Sequence, residues 1–246
     1  MAACSVMLPK TATVLTPSTS TSPRKAPALP KNYGIIVFRA FEMLDVFGPL
    51  NALSMLAKSR QLNLYIISDT LELVSTQPMM SSMNSHNSSF FPQIKPTHTF
   101  DTIPDDIDVL IIPGGLGARS PHLSPTVDYV AKTYPKLKYL ITICTGAVIA
   151  AKAGVLDGRR ATTNKASWKS TIANGPNVNW VNHARWVVDG NIWTSSGISA
   201  GIDTTLAFIE YVYGSDNANH IANMMEYERH TDPSWDPFSE IFGTTQ

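Results

Sequence analysis

Residues 139–151 of this chain have the sequence YLITICTGAVIAA, an apolar run followed directly by small residues, with one cysteine between them. The apolar part predicts a buried strand, and the small-residue part predicts the start of a buried helix. No residues remain for a loop, so Cys144 is predicted to occupy a sharp turn of the nucleophile-elbow kind. There the helix N-terminus lies beside the sulfur and favours the thiolate. A buried structural cysteine is the alternative, and this segment alone does not separate the two.

The composition limits the classes of partner. The chain has 246 residues, with 19 Lys and Arg against 19 Asp and Glu, so its formal net charge is zero. This balance argues against a nucleic-acid groove or an anionic membrane surface as the main partner. No apolar run approaches the roughly 18 to 20 residues of a membrane span. The composition is compatible with a small-molecule substrate, which we expect as the partner.

The first 31 residues differ from the rest of the chain. They are rich in Ser, Thr, Pro and Ala, and no acidic residue precedes Glu42. Such a segment buries too little apolar surface to offset its ordering entropy, so residues 1–31 are predicted to be a disordered leader. Its basic and acid-free composition also resembles an organelle transit peptide. Cys4 lies in this leader, so a structural disulfide is not expected, which favours a reducing, cytoplasmic location.

Strand patterns alternate with helix patterns over residues 32–230. This alternation predicts one α/β domain with a doubly wound, mostly parallel sheet and helices on both faces. Residues 231–246, with Pro233 and Pro237, are predicted to form an irregular tail. Apolar runs of strand length occur at 33–38, 62–68, 108–113, 139–143 and 191–196, and helical spacing at 45–59, 124–134, 200–213 and 216–229.

Three segments are expected to meet Cys144, because ligands bind beyond the carboxyl ends of parallel strands. Gly114 and Gly115 follow a buried strand, and their N–H groups could serve as an oxyanion hole, although a plain tight turn also explains them. Asp45 borders a helix start, where it is either the N-cap or an acid and base held in a partly dry place. Gly197 lies in a small-residue segment that leaves space at a pocket rim or allows close helix packing.

Five blocks of sequence occur together in this chain in a recognisable order. Over about residues 32–230 they resemble the ThiJ/PfpI superfamily, whose amidotransferase-like architecture is flavodoxin-like, and within it most of all the isonitrile hydratases and their fungal relatives. The amidotransferase-like domains of some AraC-type regulators share the same blocks. The blocks are FEMLDVFGP at 41–49, PGG at 113–115, ICTG at 143–146, RATT at 160–163 and SGISAGID at 196–203.

The resemblance implies a chemistry for the cysteine. It implies hydration of an isonitrile, R–N≡C, to an N-substituted formamide by Cys144, Thr145 and Asp45, without metal or organic cofactor. It also implies a homodimer. The alternatives are a glyoxalase-like or deglycase-like activity on reactive carbonyls, a small-molecule sensor, or a redox sensor in which Cys144 becomes a sulfinate. Many relatives place a histidine where this chain has Asn164 and Lys165, so a local Cys–His pair is not expected.

Overall fold

The structure is a computed structural model that describes Met1 and residues 28–244. The predictions for residues 2–27, which include Cys4, and for the last two residues lie outside the described residues. The five apolar runs predicted as strands do form strands, and six further segments of the described residues are strands as well. The strands are β1 Asn32–Ile36, β2 Asn63–Ser68, β3 Val74–Ser75, β4 Gln93–Ile94, β5 His98–Thr99, β6 Val109–Ile112, β7 Tyr139–Thr142, β8 Arg160–Ala161, β9 Asn179–Trp180, β10 Trp186–Asp189 and β11 Ile192–Ser195.

The main sheet has seven strands in the order β10-β11-β7-β6-β1-β2-β5. Its neighbours are parallel, except that β10 runs antiparallel to β11. The chain therefore winds outward in one direction through β1 and β2 and in the other through β6, β7 and β11. This is the flavodoxin-like strand order, and its switch point lies between β1 and β6. The predicted doubly wound α/β fold is confirmed.

The central strands are buried on both faces. Ile111 and Ile112 are consecutive residues of β6 that point to opposite faces, and both are fully buried. Leu140 and Ile141 of β7 show the same pattern. Continuous apolar burial of this kind requires helices on both sides of the sheet, since neither face contacts water.

The described part of the chain contains seven α-helices. The predicted 200–213 helix has the expected bounds, whereas the helix predicted over 216–229 ends at Met224. The helix ends there because Glu226 has a positive φ of 48° and the Tyr227 N–H bonds back to the Ala222 carbonyl, a Schellman-type stop. The helices are α1 Met43–Ala57, α2 Ser124–Thr133, α3 Ala147–Lys152, α4 Trp168–Ile172, α5 Ala200–Tyr213, α6 Ser215–Met224 and α7 Phe238–Ile241.

The segment after residue 230 is more ordered than the sequence predicted. It contains α7, and Asp236, Ser239 and Thr244 are buried. An irregular tail was predicted because its two prolines and its polar composition give no periodic pattern, whereas its order comes from polar contacts with distant residues. Asp236 forms a buried ion pair with Lys165, the Asn182 side chain donates to the Thr244 carbonyl, and the Arg185 N–H donates to the carbonyl of Pro233.

No helix in the described part of the chain combines the length and the apolar character needed to cross a bilayer.

Packing around β7 provides a test of this core. Ile141→Ala removes a fully buried side chain from the strand that leads to Cys144, and should lower the free energy of unfolding by about 2 to 5 kcal/mol. Val188→Ala on the edge strand, where the side chain is 39% exposed, should cost less than about 1 kcal/mol. Urea denaturation at equilibrium measures both, and equal losses would contradict the placement of the core.

Candidate active site

Cys144 occupies a strained turn directly after β7. Its φ is 57°, in the left-handed region that non-glycine residues rarely adopt. A single 3-10 turn, Cys144–Gly146, connects the strand to α3. The Cys144 N–H donates to the Ser196 carbonyl at 3.0 Å, and the Cys144 carbonyl accepts from the Thr163 hydroxyl at 2.8 Å. Hydrogen bonds with Ser196 and Thr163, which lie on two different segments, therefore hold the strained backbone of Cys144 in place.

Gly146, the last residue of this turn, has to be glycine because the end of β6 lies so close to it. A Cβ on Gly146 would lie 2.3 Å from the carbonyl oxygen of Ile112 at the end of β6. The small residues after Cys144 thus serve the close approach of the elbow to the adjacent strand.

The sulfur of Cys144 is buried but surrounded by polar groups. The residue is only 5% exposed. The backbone N–H groups of Thr145 and Ile198 and the side-chain amide of Asn164 hydrogen-bond to the sulfur and lower the pKa of the thiol. Burial, and secondarily the negative charge of Asp45, outweigh these donors and raise the pKa of Cys144 to about 12. The sequence-based expectation of a favoured thiolate is therefore wrong, because desolvation exceeds the effect of the helix N-terminus.

Asp45 lies beside the thiol as a buried carboxyl. It is the third residue of α1 and is fully buried. Its Oδ2 accepts the Gly114 N–H at 2.8 Å, and within the described residues Oδ1 has no N–H or O–H donor. Burial raises the pKa of Asp45 to about 7, assisted by the charge of Glu42 and opposed by the Gly114 N–H and the Cys144 thiol. Asp45 is not the N-cap, since Glu42 occupies that position.

The N–H groups of Gly114 and Gly115 bond to other residues of the site and are therefore not free to bind a substrate. The Gly114 N–H is used by Asp45, and the Gly115 N–H donates to the Thr145 hydroxyl at 2.9 Å. The Thr145 hydroxyl in turn contacts the Gly115 carbonyl at 3.2 Å. The predicted oxyanion hole therefore does not form from these two amides, because each already has a partner inside the protein. The backbone N–H of Thr145, by contrast, interacts with the sulfur and lowers the pKa of the thiol.

Both glycines are required by close contacts. A Cβ on Gly114 would lie 2.5 Å from the backbone nitrogen of Thr145 and 3.0 Å from Oδ2 of Asp45. Gly115 has a φ of 127°, and a Cβ there would overlap the Glu42 nitrogen at 2.4 Å. The structure places both glycines against Asp45 and Thr145, and these contacts show that the lack of a side chain allows the two residues to approach.

Asn164 is a site residue whose role the sequence left open. Its Oδ1 accepts the Ser167 N–H at 3.0 Å, which orients the amide and leaves the NH₂ group for the Cys144 sulfur. A Cβ on Gly197 would lie 2.7 Å from Nδ2 of Asn164, so Gly197 leaves room for this side chain. The one signal in the sequence was its position directly after the RATT block.

An amide at this position limits the acid–base chemistry of the site. Asn164 can donate hydrogen bonds but cannot accept a catalytic proton, unlike a histidine. The acid–base group next to the sulfur is therefore Asp45. Within the described residues, no three His, Cys, Asp or Glu side chains gather closely enough to hold a metal ion.

The sequence and the fold are similar to those of one protein family. A model of the DJ-1/PfpI family matches residues 32–211. The chain belongs to the DJ-1/PfpI family. It is 31% identical over 198 residues to the isonitrile hydratase of Pseudomonas putida, a match that covers 79% of this chain and 77% of that enzyme.

Other relatives carry different activities. The chain is 36% identical over 111 residues to a deglycase of Pyrococcus horikoshii, a match that covers 44% of this chain and 64% of that protein. A crystal structure of a ThiJ/PfpI family protein from Pseudomonas syringae has a TM-score of 0.67 and 25% identity, covering 90% of this chain and 85% of the other. Drosophila melanogaster DJ-1beta shares the fold with a TM-score of 0.62 at 20% identity, over 81% of this chain and 100% of its own. Membership of the DJ-1/PfpI family thus leaves the reaction to be argued from the site.

The buried carboxyl predicts how stability depends on pH. The folded pKa of Asp45, about 7, lies above its ordinary value of 3.8, so the folded state binds the proton more tightly. Asp45 therefore favours folding below about pH 4, and this contribution, roughly 4 kcal/mol, is lost as the pH rises to about 7. Asp45→Asn should remove this part of the pH dependence. Urea unfolding at several pH values measures it, and an identical decline in both proteins would contradict the assignment.

Proposed function

We propose that this protein is a cofactor-independent hydratase that converts an isonitrile and water into an N-substituted formamide, with Cys144 as nucleophile. One observation carries the proposal: the buried carboxyl of Asp45, held by the Gly114 N–H at 2.8 Å, lies beside the buried thiol of Cys144, and burial raises the pKa of both groups. The similarity to the isonitrile hydratase of Pseudomonas putida supports the same reaction.

The pair is suited to adding S–H across one carbon atom. In the ionised form Asp45 accepts the Cys144 proton while the sulfur attacks the terminal isonitrile carbon. The protonated Asp45 then returns that proton to the same carbon, which gives the thioimidate R–N=CH–S–Cys144. The thiol thus loses its proton only as the carbon–sulfur bond forms, so the buried site never has to hold two negative charges at once.

Water completes the reaction through the same carboxylate. Asp45 removes a proton from a water molecule that attacks the thioimidate carbon, and the substrate nitrogen takes up that proton. The tetrahedral adduct R–NH–CH(OH)–S–Cys144 then breaks its carbon–sulfur bond, and its hydroxyl proton returns to the sulfur through Asp45. The products are R–NH–CHO and the free thiol, so the enzyme returns to its starting state.

The donors around the sulfur assist the departure of the thiolate. The N–H groups of Thr145 and Ile198 and the amide of Asn164 all lower the pKa of Cys144. They therefore stabilise negative charge on the sulfur as it leaves the tetrahedral adduct. An uncharged substrate such as an isonitrile also suits a buried site, because it brings no ionic group that would have to be desolvated.

A deglycase-like or glyoxalase-like activity on reactive carbonyls is the second candidate. The observation in its favour is the 36% identity to the Pyrococcus horikoshii deglycase over 44% of this chain. Parallel assays separate the two candidates: formamide release from an alkyl isonitrile, and lactate release from methylglyoxal. Turnover of the carbonyl alone would reject the proposed reaction.

The first prediction on activity concerns the two reacting groups. Cys144→Ala should abolish formamide release, and Asp45→Asn should reduce kcat/KM by about 100-fold or more, because Asp45 supplies the base beside the sulfur. In the wild type, kcat/KM should rise with pH through about 7, where the pKa of Asp45 lies, since the ionised carboxylate accepts the thiol proton. Full activity in either folded variant, or a rise centred near pH 4, would reject these roles.

The second prediction concerns the side-chain donor. Asn164→Ala removes one hydrogen bond to the sulfur and should lower kcat by about tenfold, as the loss of one such bond implies. Asn164→Asp should lower kcat further, because a second carboxylate beside the sulfur opposes ionisation of both Cys144 and Asp45. Asn174, whose side chain bonds only within its own helical turn, is the matched control, and Asn174→Ala should retain wild-type kcat. Equal kcat in all three variants would show that the amide has no part in turnover.

A further inference from the structure

The C-terminal segment, residues 231–244, reaches the site through one buried ion pair. Nζ of Lys165 lies 3.2 Å from Oδ2 of Asp236, and each side chain is only 1% exposed. Lys165 directly follows Asn164, the donor to the sulfur. Asp236 lies beyond the residues that the DJ-1/PfpI family model matches, which end at 211.

Lys165 is the centre of a polar cluster. Its ammonium group donates to the Thr163 carbonyl at 3.2 Å and to the Ser196 hydroxyl at 3.3 Å. Asp236 is the one anionic partner of this group among the described residues. The remaining acceptors are the Thr162 hydroxyl at 2.8 Å and the Ala184 carbonyl at 3.0 Å.

Two residues of this cluster are the ones that hold the backbone of Cys144. The Ser196 carbonyl accepts the Cys144 N–H at 3.0 Å, and the Thr163 hydroxyl donates to the Cys144 carbonyl at 2.8 Å. Lys165 therefore links both partners of the strained peptide, whose φ is 57°. A strained backbone persists only when its surroundings fix it from several sides.

The charge of Asp236 favours the ionised form of Lys165. Burial lowers the pKa of Lys165, and the neighbouring Asp236 opposes that change by attraction and hydrogen bonding. Asp236 is itself held in place, since Oδ2 accepts the Ala184 N–H at 3.2 Å and Oδ1 accepts the Phe238 N–H at 3.1 Å. The carboxylate is thus a fixed counter-charge that the C-terminal segment supplies.

We propose that Asp236 is a positioning residue for Cys144. It acts through Lys165 on Thr163 and Ser196, the two residues that hydrogen-bond to the backbone of Cys144. The inference deepens the proposed function, since it rests on Cys144 as the nucleophile. It assigns the C-terminal segment a part in the reaction without any contact between that segment and the substrate.

Two variants test this proposal. Asp236→Asn removes the counter-charge and keeps the shape. The double variant Lys165→Met with Asp236→Leu removes both charges, so it leaves no unpaired buried ion and should fold even if the single variant does not. Both are made in a Cys4→Ala background, so that Cys144 is the only thiol of the chain.

Turnover and thiol reactivity are measured on each folded variant. We expect kcat for the isonitrile to fall by about 10- to 100-fold with little change in KM, as a small displacement of a reacting group implies. We also expect the pH midpoint of Cys144 alkylation by iodoacetamide to move upward, because a relaxed elbow loses the N–H donors of Thr145 and Ile198. Thermal unfolding reports stability separately.

A purely structural role gives a different result. If the ion pair only stabilises the fold, the double variant should recover wild-type kcat and the wild-type alkylation midpoint once it is folded, and that outcome would overturn the proposal. Asp232→Asn is the matched control, because it makes the same substitution at an exposed carboxylate of the same segment, which bonds to Ser234, and leaves the ion pair intact. It should retain the wild-type midpoint.

The alkylation readout also separates this inference from the proposed reaction. If the wild type fails to turn over any isonitrile, the proposed function fails. A shifted midpoint in the double variant would still show that Asp236 and Lys165 position Cys144. An unshifted midpoint in an enzyme that does hydrate isonitriles, with unchanged kcat, would reject the positioning role alone.

Discussion

The hydrogen bond from the Gly114 N–H to the buried carboxyl of Asp45 is the contact on which the rest of the site depends. It joins the loop after β6 to the helix after β1, across the switch point of the sheet. It holds a carboxyl out of water next to Cys144 while satisfying one of its oxygens. Glycine is required at 114 because a side chain there would strike both Asp45 and Thr145.

Burial has the same effect on both groups of the proposed catalytic pair. Desolvation raises the pKa of Cys144 and of Asp45, so the two groups are not both ionised near neutral pH. A site that relied on a free thiolate would have to overcome this cost before substrate arrived. A site that moves one proton from sulfur to carboxyl during bond formation keeps a single negative charge throughout, which a low-dielectric environment tolerates better.

The features that the sequence predicted correctly are those encoded in short segments. The Cys144 elbow and the Gly114 turn were predictable because a strand, a turn and a helix follow one another without interruption. Asp45 was ambiguous, since a carboxyl near a helix start fits an N-cap equally well until the Gly114 bond is known. Asn164 and Asp236 were not predictable, because their partners lie 20 and 71 residues away, at Cys144 and Lys165, and no local pattern encodes such contacts.

The high pKa of the thiol bears on which reactants the site favours. Peroxide oxidation requires a thiolate, which is scarce at neutral pH when the pKa is about 12. A reactant whose own carbon accepts both the sulfur and the proton does not need a standing thiolate, and an isonitrile carbon has this property. The same argument applies less well to a carbonyl, where the proton must go to an oxygen rather than to the carbon under attack. The protonated resting state thus favours the addition reaction over the redox alternative.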